Sequence, residues 1–333
     1  MRALLCREVC EWDQLGVAEV APPSMVAGGV RIAVRYASVS FAMSLQVAGR
    51  YQRTYPLPFI PGTEVAGVVL ETAAGVMQVK PGDRVLAIVD WGGIAQQVVT
   101  TAATVFRLPD ALPFNPAIHL GIAYATGYGG LKWRAALREG ETLLVLGAAG
   151  GVGSAAVELG RAMGARVIAA ASTPAKRDFA LSRGAHVALP YEGLRESVKQ
   201  ATGGRGVDVV YDPVGGAAFD DALRCVAPFA RIVTVGFAGG SAPQVPANLL
   251  LVKNIAVVGH NMGLYFGWTQ PDLRLRFEPQ MRAMMDRIFD WACAGDLHPH
   301  VSHCFALDDF RAAMRVIRER EAQGKVVIKL EEA

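Results

Sequence analysis

The sequence predicts an α/β protein in which a small, strand-rich, β-barrel-like domain precedes a doubly wound parallel sheet. Three observations carry this reading. At 333 residues the chain exceeds the roughly 250–300 residues at which a single core stops growing, so two domains are expected. The N-terminal third shows short strands broken by turn signals. From about Pro116 onward, strand and helix patterns alternate, as they do when helices cross over a parallel sheet.

The elements follow in order. Val30–Tyr36 alternates apolar and polar residues with a period of two, the mark of a half-buried strand. Phe59-Ile60-Pro61-Gly62 is a turn before the strand Thr63–Leu70. Lys80-Pro81-Gly82-Asp83 is a second turn, before the strand Arg84–Val89. Ala117–Leu137 reads as mostly helical, with a soft spot at Gly127, Gly129 and Gly130. The alternating units are then strand 142–146, helix 154–163, strand 166–171, helix 174–183 and strand 187–189. Helix 194–202, strand 207–211, helix 217–225, strand 231–235 and strand 255–258 follow. The tail holds helices 280–294 and 308–321, a C-cap signal at Gly324 and a last strand at 325–330.

The most informative stretch is Leu143-Leu-Val-Leu-Gly147-Ala-Ala-Gly150-Gly151-Val-Gly153. A buried strand breaks on glycines and reopens as a helix at Ser154. Backbone N–H groups at such a helix N-terminus, with the macrodipole behind them, favour an anion, here the pyrophosphate of a dinucleotide. Against the pattern G-x-G-x-x-G, the first position is Ala148, which permits the tight turn if its φ stays negative. Gly150 lets the backbone approach the pyrophosphate, and Gly153 lets the helix pack close to the strand. The strand before, helix after and second strand within one unit supply the context that a glycine pattern alone lacks.

The next strand, Arg166–Ala171, ends without a carboxylate. An NAD site usually places Asp or Glu there to hold the ribose 2′-OH, whereas a 2′-phosphate calls for hydroxyls and cations. The chain runs instead into Ser172-Thr173-Pro174-Ala175-Lys176-Arg177, and its first acid is Asp178. Clustered cations suit phosphate, so NADPH is the expected cofactor.

Composition excludes several classes. Apolar residues at 52% and charged residues at 19% describe a globular chain rather than a disordered one. The net charge of +3, with no basic run, argues against nucleic acid. No secretory h-region or membrane-spanning run is present, so no membrane partner is expected. The five cysteines form no C-x-x-C pair, and a reducing cytoplasm is expected.

At this point the chain resembles the medium-chain dehydrogenase/reductase superfamily, in particular its zinc-free quinone oxidoreductase branch. The resemblance runs nearly end to end. It rests on Pro56-Leu-Pro-Phe-Ile-Pro-Gly-Thr-Glu-Val-Ala-Gly67, Val79-Lys-Pro-Gly-Asp-Arg-Val85 and the glycine loop, then on Val207-Asp-Val-Val-Tyr-Asp-Pro-Val-Gly-Gly216 and Gly324-Lys-Val-Val327. It implies a GroES-like β-barrel catalytic domain over 1–118, an NADPH-binding Rossmann domain over 119–262, and a segment 263–333 returning to the catalytic domain. The zinc-dependent relatives place Cys and His where this chain has Ser40 and Thr63, and Asp90–Thr104 lacks the cysteines of their structural zinc lobe. The resemblance therefore implies no metal, and reduction of an electrophilic acceptor rather than oxidation of an alcohol. It further implies cofactor contacts at Ser40, Thr126, Ala149, Gly150, Gly151, Val152, Ser172, Lys176, Arg177, Tyr191, Gly236, Phe237 and Lys325. Ser40 departs from the Asn usual in the branch. Tyr51 and Tyr265 sit in segments that resemble the family's cleft rim, as proton donors or as stacking walls. A homodimer is expected, through an edge strand near Ile255-Ala-Val-Val258.

Hydride transfer to a quinone is the favoured reaction. The alternatives are an enoyl or 2-alkenal reductase acting on an α,β-unsaturated carbonyl or thioester, and a non-catalytic NADPH-binding protein. His298, His300 and His303 match no zinc spacing and read as a polar turn. Cys6 and Cys10 read as small core or surface residues, Met281, Met284 and Met285 as packing, and Glu64 as structural rather than a general base.

Overall fold

A computed structural model describes residues 1–331. The chain divides into two units. Among the described residues, the first comprises 1–122, 263–293 and 299–331, the second 123–262 and 294–298.

In the first unit, β1 (Arg2–Leu5) pairs antiparallel with β2 (Gly16–Glu19). A larger sheet is built on β3 (Gly29–Val39), the long strand foreseen at 30–36. Along one edge β3 pairs antiparallel with β4 (Glu64–Thr72), followed by β5 (Arg84–Ile88) and β7 (Val105–Arg107). Its other edge is shared. Residues 29–33 pair with β6 (Gln97–Thr101), and residues 36–39 with β15 (Lys325–Lys329). Bulges between Arg31 and Ile32 and between Val34 and Tyr36 bend the strand, which lets one edge serve two partners. The parallel strand β14 (Val301–Ala306) completes the sheet beside β15. The inward positions of these strands form one core, including Val30, Ile32, Val34, Val65, Val69 and Ile328.

The second unit is a six-stranded parallel sheet. Its strands are β8 (Thr142–Leu146), β9 (Arg166–Ala170), β10 (Val187–Leu189), β11 (Val207–Asp212), β12 (Val226–Thr234) and β13 (Ala256–Gly259). Their spatial order, β10-β9-β8-β11-β12-β13, is the 3-2-1-4-5-6 order of a dinucleotide-binding fold. The α/β architecture expected from sequence is thus present, and the pattern switch foreseen near Pro116 coincides with helix Phe114–Ala117.

Some boundaries differ, for physical reasons. The helix after the glycine loop begins at Gly151, not Ser154. The soft spot is a π-helix at Gly129–Arg134. A Cβ on Gly129 would lie 2.7 Å from the His260 ring, and one on Gly130 would lie 3.0 Å from Tyr211. These glycines serve close packing, so the segment is rewound rather than broken. Helix Arg274–Ala294 begins six residues earlier than expected and carries Pro279 inside it. Among the described residues, no helix is long and apolar enough to cross a membrane.

In each unit a buried acid ties together segments distant in the chain. In the first, Glu64 is fully buried at the start of β4. Its Oε2 lies 2.5 Å from Lys325 Nζ on β15, and its Oε1 accepts the Ile122 N–H. In the second, Glu158 Oε2 accepts from the Tyr124 hydroxyl at 2.6 Å and from the His298 N–H at 2.8 Å. Arg183 donates to the His298 carbonyl at 2.9 Å and lies 3.5 Å from Glu158 Oε1. The short segment 294–298 belongs with the second unit through these bonds. Removing one partner of a buried ion pair strands the other charge. Lys325→Met is therefore expected to lower the unfolding free energy by about 3–5 kcal/mol. Adding Glu64→Gln should recover part of that loss. Urea denaturation of wild type, both single variants and the double variant checks this; strictly additive losses would show that the two charges do not interact.

Candidate functional site

The glycine loop joins β8 to helix Gly151–Ala162. The tight turn is made at Gly147, with φ +62, one residue before the position where the motif alignment put it. Ala148 keeps a negative φ, as its side chain requires. Gly153 is dictated by packing. A Cβ there would fall 2.0 Å from the Gly147 carbonyl oxygen and 3.0 Å from Ala148 Cα. Gly150 is different. It is the N-cap at φ −77 and ψ 173, a conformation open to any residue, and a Cβ there would meet nothing of the protein nearer than Gly147 O at 3.5 Å. The protein's own packing requires glycine at 153 and does not require it at 150. The exposed surface of Gly150, at the N-terminus of a helix of twelve residues, is the place where an incoming phosphate would need the missing side chain.

Of the other positions expected at a nucleotide, Ser172, Lys176, Arg177, Tyr191, Gly236 and Phe237 follow the C-terminal ends of parallel strands. Tyr191, after β10, accepts the Gly147 N–H on its hydroxyl at 2.8 Å, so it holds the start of the loop. After β9, Thr173 caps helix Pro174–Ser182, its Oγ1 accepting from the Lys176 N–H at 3.3 Å. Ser172 is exposed, and Lys176 and Arg177 are half-buried in the first turn. Arg177 turns back on the strand end, donating to the Ala171 carbonyl at 3.4 Å. Thr126 is buried in helix Ile122–Tyr128. The adjacent Gly127 faces Leu159, on the helix that follows the glycine loop.

The loop after β12 is laced to the loop after β11. The N–H groups of Ala238 and Gly239 donate to the carbonyls of Pro213 and Val214 at 3.0 and 2.8 Å. Gly236 precedes these ties, and Phe237 is left 47% exposed, open to contact. The β11 loop is shaped by Asp212, whose Oδ1 accepts from the Val214 and Gly215 N–H groups, each at 2.8 Å. Burial pushes its carboxyl up, opposed by those two bonds. The sequence reading quoted Asp212 within a motif without giving it a role; an acid ending an apolar strand and followed by Pro-Val-Gly-Gly was the available signal.

In the first unit, Ser40 stands at the N-cap of helix Phe41–Val47 and makes no side-chain cap bond. Lys325 is buried against Glu64, which gives its ammonium a structural partner. Tyr51 is half-buried, and burial pushes its phenol up, opposed by Arg53. The Tyr265 ring packs on Phe277 at 4.7 Å between centroids. Sequence reasoning missed the cluster around Asp90. Arg274 donates to both Asp90 oxygens at 3.0 and 3.1 Å, and Arg53 to one at 3.3 Å. The Arg53 guanidinium also lies 5.4 Å and 5.6 Å from the ring centroids of Tyr55 and Trp91.

The three histidines do not converge. The His298 N–H serves Glu158, the His300 N–H donates to His119 Nδ1 at 3.2 Å, and the His303 ring stacks on Phe305. Among the described residues, no group of three His, Cys, Asp or Glu side chains is placed to hold a metal ion.

Comparison with known proteins gives a consistent match. Residues 26–110 match the family described as "Alcohol dehydrogenase GroES-like domain", and residues 151–276 the family described as "Zinc-binding dehydrogenase". The rat protein named "Quinone oxidoreductase-like protein 2" is 38% identical over 332 residues, covering 99% of this chain and 92% of that protein. The structure of the Thermus thermophilus quinone oxidoreductase, also described with NADPH, superposes with a TM-score of 0.81 at 31% identity, covering 99% of this chain and 100% of the other. The Escherichia coli quinone oxidoreductase complexed with NADPH superposes with a TM-score of 0.90 at 25% identity, with the same coverage.

The two loop glycines separate packing from binding. Gly153→Ala is expected to lower stability by about 1–3 kcal/mol through the clash with Gly147. Gly150→Ala should cost less than about 1 kcal/mol. Thermal and urea denaturation of the two variants check this, and equal losses would contradict the distinction.

Proposed function

We propose that this chain, which belongs to the quinone oxidoreductase branch of the medium-chain dehydrogenase/reductase superfamily and is an oxidoreductase, reduces a quinone with NADPH and without zinc. The observation that carries the cofactor reading is Gly150: a glycine that the protein's packing does not need, at a helix N-terminus beside an acid-free strand end. The NADPH complexes of two quinone oxidoreductases of the same fold support it.

NADPH, when bound, supplies the hydride. The chain's part is to bind and to orient. The backbone of Ala149, Gly150, Gly151 and Val152 would hold the pyrophosphate, aided by the helix dipole. Ser172, Lys176 and Arg177 would hold the 2′-phosphate, with Tyr191 keeping the loop in register through Gly147. Thr126, Gly236 and Phe237 would line the cofactor farther along the strand ends, and the family resemblance supports contacts from Ser40 and Lys325. Tyr51 or Tyr265 would give a proton to the reduced acceptor oxygen. Ser40 and Thr63, lacking the soft donors of a zinc site, support a metal-free reaction. An acceptor already electrophilic needs no Lewis acid. The unpaired side of the terminal strand β13 supports a homodimer formed by sheet extension.

Steady-state turnover of benzoquinone, phenanthrenequinone, an alkenal and crotonyl-CoA with NADPH tests the acceptor. Quinone turnover is the expected outcome. Turnover of the thioester alone would make the chain an enoyl reductase, and tight NADPH binding without turnover of any electrophile would make it a binding protein. For the cofactor, Lys176→Ala should raise KM for NADPH far more than KM for NADH; equal effects would remove Lys176 from the 2′-phosphate.

A further inference from the structure

We propose that Glu158 is a positioning residue for the cofactor, one that sets the register of the three helices assigned to a dinucleotide. The inference rests on the NADPH reading above. In that reading the start of helix Gly151–Ala162 holds the pyrophosphate, Thr126 on helix Ile122–Tyr128 lines the cofactor farther along, and Lys176 at the start of helix Pro174–Ser182 meets the 2′-phosphate. Glu158 lies about two turns into the first of these helices, 3% exposed, and reaches both of the others. Its Oε2 accepts from the Tyr124 hydroxyl at 2.6 Å, two residues before Thr126. Its Oε1 lies 3.5 Å from Nη1 of Arg183, the C-cap residue of helix Pro174–Ser182. The same Nη1 donates to the His298 carbonyl at 2.9 Å, and Glu158 Oε2 accepts the His298 N–H at 2.8 Å. The backbone of one residue thus closes the cluster from both sides.

Apolar packing alone does not supply this register. Tyr124 and Gly127 stand three residues apart, on one face of their helix. A Cβ on Gly127 would lie 2.7 Å from Leu159 Cδ1, so the two helices approach closely there. An apolar contact of that kind sets how far apart two helices lie and tolerates a slide along their axes. A buried hydrogen bond to a carboxylate is short and directional and resists the slide. Glu158 does not touch the nucleotide itself, because seven residues of helix, about 10 Å, separate it from Gly151. It acts through Tyr124 on the nicotinamide side and through Arg183 on the helix that starts at the 2′-phosphate. One dinucleotide spans all three helices, and a misplacement of about 1 Å far from the chemistry can cost about 100-fold. A carboxylate suits the position, since one oxygen accepts two donors while the other faces a cation.

The test is equilibrium binding to the whole protein, with NADPH, NADH and adenosine 2′,5′-bisphosphate as probes. The last carries the 2′-phosphate and no nicotinamide. Tyr124→Phe releases the nicotinamide side only. It should weaken NADPH about tenfold, the worth of one hydrogen bond to a charged group, and leave the bisphosphate within about twofold. Arg183→Met should weaken NADPH and the bisphosphate by a common factor of about ten, and NADH by less. Glu158→Gln keeps an oxygen for the Tyr124 hydroxyl and the His298 N–H but removes the charge facing Arg183. It should therefore follow Arg183→Met and spare the nicotinamide side. Variants that melt at lower temperature yet bind all three probes as wild type does would make Glu158 a core contact and nothing more. Equal losses for all three probes in every variant would overturn the proposal as well. Wild type that binds no NADPH would instead overturn the cofactor reading, and the positioning role with it.

Discussion

The nucleotide-binding half of this molecule depends on how closely helix Gly151–Ala162 lies against the end of β8. At Gly153 the helix comes so near the Gly147 carbonyl that a Cβ would sit 2.0 Å from it. That approach aims the helix N-terminus at the loop and leaves Gly150 on its open side. Everything else around the loop keeps this arrangement in register. Tyr191 takes the Gly147 N–H, Thr173 caps the next helix, and Asp212 shapes the neighbouring loop through two backbone bonds. The loop thereby presents backbone with few charged side chains, and its shape is set by close packing.

The first unit relies on a different device. Its last strand, β15, returns from the far end of the chain, and Lys325 on it meets Glu64 on β4 inside the core. A charge pair in such a place adds little net stability over an apolar pair of the same shape, but it penalises every register in which one charge is left alone. Glu158 has the same standing in the second unit, where it accepts from Tyr124 and from the backbone of His298. Both acids act on chain segments distant in sequence. They fix topology, and neither is placed as a proton carrier.

The pattern of legibility follows from this division. The parallel sheet was readable because its strands are continuous apolar runs and its helices are punctuated by glycine and proline. The glycine loop was readable because its constraint is local. Strands β1, β2, β6, β7 and β14 are not legible in the sequence, since they are short and a strand's partner is not written in its own residues. The alanine at position 148 was accommodated by moving the positive φ to Gly147, a one-residue shift that the motif pattern does not encode. The Asp90 cluster escaped because Arg53, Asp90 and Arg274 lie on three separate segments. Lys325 was assigned from its motif alone, and its pairing with Glu64 required the fold.

The central claim is that the loop at Gly150 and the acid-free end of β9 together form the seat of NADPH. A crystal structure of the protein with NADPH tests it most directly. The account predicts the pyrophosphate over the backbone of residues 149–152 and the 2′-phosphate beside Ser172 and Lys176. Nucleotide bound elsewhere, or a 2′-phosphate pointing away from Lys176 into solvent, would contradict it.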